Sequence, residues 1–100
     1  MSQQSIITEE IARGILVQVD LQRKQKGSGW EWRDLTIRPS DNEARVLAKF
    51  SVSTPTVQKW FQKATANVFR MEHQQSGWWL ICFDLIPVEV DTYMDLWSLS

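Results

Sequence analysis

Six consecutive apolar residues, Trp78 to Phe83, begin with two adjacent tryptophans inside the stretch SGWWLICFDLIPVEV, residues 76–90. In a β-strand successive side chains leave opposite faces of the sheet, so Trp78 and Trp79 must point apart. A strand covered on one side alternates apolar and polar residues, whereas an unbroken apolar run is the pattern of a strand covered on both. Any fold for this chain therefore has to place something over each face of that strand, or leave an apolar patch in the open.

The rest of the chain is read by period. In ARGILVQVDLQRKQ the residues Ile15, Val17, Val19 and Leu21 share one parity, which predicts a half-buried first strand. KQKGSG then reads as a hairpin loop leading into a second strand, WEWRDLTIRP. There Trp30 and Trp32 take one parity and Leu35 and Ile37 the other, so the strand is apolar on both sides or carries a bulge near Arg33-Asp34. After the turn PSDN, EARVLAKFSV alternates with Ala44, Val46, Ala48, Phe50 and Val52 inward, a third strand completing an antiparallel meander.

STPTVQKWFQKATANVFRM starts with Thr54 as N-cap and Pro55 at the first helical position. Val57, Trp60, Phe61, Ala64, Val68 and Met71 fall in an arc of about 100°, which predicts one amphipathic helix from Pro55 to Glu72 with Gly77 as terminator. Its opposite side carries Lys59, Lys63 and Arg70, read as a solvated basic stripe. The expected class is α+β: a mostly antiparallel sheet in the order β-β-β-α-β, with a short C-terminal element and one helix packed on one face. Residues 1–100 are expected to form a single domain, with 1–8 disordered and 88–100 packing on the sheet.

On this scheme Trp79, Ile81, Phe83 and Leu85 lie under the helix. Trp78, Leu80, Cys82 and Ile86 emerge on the far side, joined by Leu16, Leu47, Trp30 and Trp32. Burying one large apolar side chain is worth roughly 1.5 to 3 kcal/mol, so four or five left bare would forgo about as much as a small domain's whole stability. The C-terminal segment with Tyr93, Leu96, Trp97 and Leu99, a second copy of the chain, or a foreign partner are the candidate covers.

Composition excludes several classes. With 43% apolar and 23% charged residues and a formal charge of −1, the chain is neither disordered nor a polycation. The apolar run is far too short to cross a bilayer, and the start MSQQSIITEE lacks the basic and apolar regions of a secretory signal, so no membrane partner and a cytoplasmic setting are expected. Cys82 is the single cysteine, which rules out an intrachain disulfide.

Catalysis has little to work with. His73, the one histidine, is expected at a helix end and Cys82 in mid-strand, so a nucleophile–base pair is not expected. One His and one Cys cannot furnish a zinc set, and KGSG lacks the strand-to-helix setting and the GK[ST] ending of a phosphate loop. No enzyme, metal or cofactor is expected.

The expected function is a non-enzymatic protein-interaction or assembly module, a homodimer or accessory subunit. Trp78, Trp30 and Trp32 are its anchors and Arg45 and Lys49 its rim charges. The alternative is a single-stranded nucleic-acid-binding domain that stacks bases on the same tryptophans, with Arg23, Lys24, Lys26 and Arg33 meeting phosphates. All eleven Lys and Arg lie between Arg13 and Arg70, whereas residues 71–100 carry only acids, a charge split that such a reading would use in its first part and suffer from in its second.

Overall fold

The computed structural model describes residues 6–26 and 29–86. Two helices and four strands follow one another as α1 (Glu9–Lys26), β1 (Trp30–Arg38), β2 (Glu43–Phe50), α2 (Thr54–Lys63), β3 (Ala66–His73) and β4 (Trp79–Leu85). The strands form one antiparallel sheet in the order β1-β2-β4-β3. The α+β class and the helix packed on one sheet face hold. The expected β-β-β-α-β order is corrected to α-β-β-α-β-β, two passes through the same α-β-β unit.

The first correction is residues 9–26, a helix rather than a strand. Ile15 and Val19 fit a period of two, but they also fit the helical set Ala12, Ile15, Leu16 and Val19, and those four are the buried ones. Local chemistry favours the helix: the Thr8 hydroxyl accepts from the Ile11 N–H, and Glu9 and Glu10 occupy the first turn, where the macrodipole welcomes acids. Leu16, expected on the far side of the sheet, is fully buried in the core. Of residues 1–8, expected to be disordered, 1–5 lie outside the described residues; Ile7 is buried and its N–H donates to Asn42 Oδ1 at 2.8 Å, in the β1–β2 turn.

The second correction is the helix end. α2 is capped by Ser53, whose hydroxyl accepts from the Thr56 N–H, one residue before the expected cap, and it stops at Lys63. Thr65 then takes a left-handed φ of 61° and turns the chain into β3. Val68 and Met71, three apart, resemble a continuing helical stripe. They share a strand face because a bulge between Val68 and Arg70 inserts Phe69, which is half exposed. Gly77 (φ 78°) follows Ser76 (φ 67°) in the tight β3–β4 turn instead of ending a helix.

A matching bulge sits in β1. Asp34 and Leu35 together face the single position of Val46, and Asp34 adopts a φ of 57°. This resolves the parity conflict: beyond the bulge, Leu35 and Ile37 rejoin the side occupied by Trp30 and Trp32 and pack against the core.

Both helices lie on that side. The core is built from Ala12, Ile15, Leu16 and Val19 of α1, Val57, Trp60 and Phe61 of α2, and Trp30, Val46, Ile81 and Phe83 of the sheet. Alanines at 44, 48 and 66, all fully buried, keep the sheet surface low where the helices approach. Residues 88–100, expected to pack on the sheet, lie outside the described residues, as do Gly27 and Ser28 of the presumed hairpin loop, which instead joins α1 to β1.

Candidate functional site

The sheet turns its second face away from both helices, and strand register sets its contents row by row. Arg33 of β1 faces Leu47 of β2, which faces Leu80 of β4, which faces Glu72 of β3. The next row runs Thr36, Arg45, Cys82, Arg70. Glu31 pairs with Lys49 on one side of these rows, and Arg38 with Glu43 on the other.

Trp78 enters this face just before β4. The Arg33 guanidinium lies over its ring, 4.2 Å from the centroid. Trp79 goes the other way, stacked on Phe50 at 5.8 Å and met edge-on by His73 at 5.0 Å. The adjacent indoles do point to opposite faces. Trp78, Leu80 and Leu47 are all half-buried and form the apolar centre of the open side.

Charges around that centre are almost all paired. Arg33 meets Asp34 at 3.7 Å, Arg38 meets Asp41 at 3.1 Å and Glu43 at 3.8 Å, Arg45 meets Glu43 at 3.0 Å, and Arg70 meets Glu72 at 2.8 Å. Glu43 is the one buried charged residue among those described, and two guanidiniums hold it. Lys49, beside the β3–β4 turn, has no ion-pair partner among the described residues. A shallow depression of about 340 Å³ lies between these groups, lined by Asp34, Thr36, Arg38, Arg45, Leu47, Gln74 and Leu80.

Cys82 sits in the middle of the face yet is only 1% exposed, flanked by Arg45 and Arg70. Burial pushes its thiol above the ordinary cysteine range, with Glu43 and Glu72 adding to the shift and the two arginines opposing it. A neutral thiol is a poor nucleophile. His73 lies on the other face against Trp79, so the two side chains are not partners.

The residues singled out by sequence are divided. Trp78, Arg45 and Lys49 share the open face. Trp30 and Trp32 do not: both indole N–H groups donate to the Asp20 carboxylate of α1, at 2.6 and 3.4 Å, and Trp30 is buried among Phe50, Trp60 and Phe61. Of the four proposed phosphate contacts, Arg33 lies against Trp78, whereas Arg23, Lys24 and Lys26 fall in the sequence of the last turns of α1 and not on a strand. Lys59 and Lys63 lie on α2 and Arg70 on β3, which breaks up the presumed basic stripe. Sequence reasoning placed Leu80 and Leu47 on this face without naming them as anchors, and it missed the acids that neutralise the arginines there. Lys49 next to Glu31, and Arg45 two residues from Glu43, were visible cues only once the strands were paired.

Fold and surface together define a two-layer α+β domain in which, among the described residues, one sheet face carries no helix. No family model matches this chain, and no curated protein or solved structure matches it either.

Proposed function

We propose that this chain is a non-enzymatic protein-interaction module that docks a partner protein on the open face of its sheet, with Trp78, Leu80 and Leu47 as the apolar anchor and Arg33, Arg45 and Lys49 at the rim. The observation that supports it is the combination of a half-buried apolar centre with a ring of mutually neutralised charges. Such a surface gives up water easily at its centre and offers alternating donors and acceptors at its edge, the anatomy of a protein–protein patch.

The same charges weigh against nucleic acid. Affinity for a phosphate backbone comes from cations free to release its counterions, and Arg33, Arg38, Arg45 and Arg70 already face carboxylates. Arg33 also occupies the Trp78 ring on which a base would stack.

The test is affinity purification from the native cell with wild type, Leu80→Glu and Val17→Glu, the last altering a helix on the opposite layer. A protein retained by wild type and Val17→Glu, lost by Leu80→Glu, and shown to bind when purified, supports the reading. Identical binding by all three overturns it. Oligo(dT) or oligo(U) that quenches tryptophan emission at low salt would favour the nucleic-acid reading instead.

A further inference from the structure

Helix α1 has two apolar sides, and the core uses one. Ala12, Ile15, Leu16 and Val19 are buried, whereas Ile11, Val17 and Leu21 are exposed at 39%, 52% and 49%, with Ile6 just before the helix at 62%. At about 100° per residue the exposed set is centred roughly opposite the buried one. Six large hydrophobics are exposed among the described residues, and four of them are these. A solvated helix keeps charges on its outer side; a second apolar stripe is the mark of a helix packed on both.

The spacing is that of a seam. Positions 10, 14, 17 and 21, read as Glu, Gly, Val and Leu, recur in steps of four, three and four, the repeat by which two helices stay in contact along their length, with Val17 and Leu21 its apolar members. Gly14, at the middle, has no other atom within 4 Å of the place its side chain would occupy, so a neighbouring helix can come close.

Charge selects the partner. α1 begins with Glu9 and Glu10 and its sequence ends in Arg23, Lys24 and Lys26. Glu9 is engaged by Arg13 at 3.0 Å, while Glu10 has no ion-pair partner among the described residues. A second copy running parallel sets acid against acid and base against base. An antiparallel copy sets the acidic end of each helix against the basic end of the other, twice, because a two-fold contact repeats every pairing.

We propose that two copies of this chain associate through α1, antiparallel, with Val17 and Leu21 at the centre of the contact. The surface is distinct from the open sheet face and does not depend on it. A helix face about 27 Å long and about 10 Å wide is smaller than the roughly 800 Å² per partner of a standard interface, so the dimer forms in a concentration-dependent way.

Sedimentation equilibrium over about two decades of concentration tests this. Wild type is expected to pass from one chain to two. Val17→Glu and Leu21→Glu, both at exposed positions, are expected to remain single chains with unchanged circular dichroism. Glu10→Arg should weaken the dimer several-fold, and Leu80→Glu should leave it intact. A wild type that stays single at the highest concentration overturns the proposal and leaves the stripe to another chain or segment. A dimer broken by Leu80→Glu but not by Val17→Glu overturns it by placing the contact on the sheet, and one strengthened by Glu10→Arg refutes the antiparallel arrangement.

Discussion

Asp20 is the residue on which the helix-to-sheet attachment turns. Its carboxylate accepts from two indole N–H groups on β1, Trp30 at 2.6 Å and Trp32 at 3.4 Å, and truncation would leave a buried donor without a partner. Asp20→Ala is expected to cost about 1 to 3 kcal/mol in urea unfolding and Asp20→Asn less, since the amide oxygen can still accept from one ring. Equal losses for the two would mean that size and not hydrogen bonding matters there. Cys82 gives a pH signature. Because burial raises its pKa in the folded state, the thiol contributes stability that is intact below its unfolded value and is lost as pH rises from there through the folded one. Midpoints of denaturation should therefore fall on the alkaline side, and Cys82→Ala should flatten that fall; a thiol reagent should react slowly with the native protein at neutral pH. From sequence, Cys82 was legible as a buried thiol because Ile81 and Phe83 flank it. Asp20 was not, since an acid between valine and leucine reads as the polar face of a strand until a helix brings it over two tryptophans.

Element boundaries turned on two backbone events with weak sequence signals. Thr65 holds a left-handed φ of 61° between α2 and β3, although it is β-branched and no glycine is near. Relief of that strain outweighs the extra freedom glycine brings to the unfolded chain, so Thr65→Gly is expected to stabilise the fold by about 0.5 to 1 kcal/mol in thermal or urea melts. A destabilisation of that size would show that the Thr65 side chain carries more than its bond to the Ala64 carbonyl at 2.6 Å. The bulge at Phe69 is the other event. It aligns Val68 and Met71 on one strand face at helical spacing, so a periodic reading carries the helix nine residues too far, to Glu72 instead of Lys63. By contrast β2 and β4 were readable in full, because a strand between two others has neighbours on both sides and its pattern is not blurred by edge irregularities.

At the scale of the sheet, the two edge strands among the described residues, β1 and β3, carry bulges and charges, which protect a sheet from pairing edge to edge. The two proposed contacts accordingly use faces and not edges: the side of the sheet turned away from the helices and the outer side of α1. The two sides of β4 should respond differently to truncation. Ile81 is fully buried under the helices, and Ile81→Ala is expected to cost about 3 kcal/mol; its neighbour Leu80, half-buried on the open face, should lose less than about 1 kcal/mol as Leu80→Ala. Equal losses in denaturant titrations would mean that the open face is as well packed as the core.

Sequence alone determined β2 and β4, the start of α2 within a residue of Pro55, and the opposed projection of Trp78 and Trp79, because these depend on bond geometry within a few residues. What only the tertiary structure decided is which period residues 9–26 obey, which strands are neighbours, and hence which charges meet across the sheet. The helical and extended patterns of α1 share Ile15 and Val19, and a choice between them is made by the surface available to bury against. With β1 and β4 already spanning the layer below, Ala12, Ile15, Leu16 and Val19 gain a common apolar floor as a helix, which no strand at that place could give them.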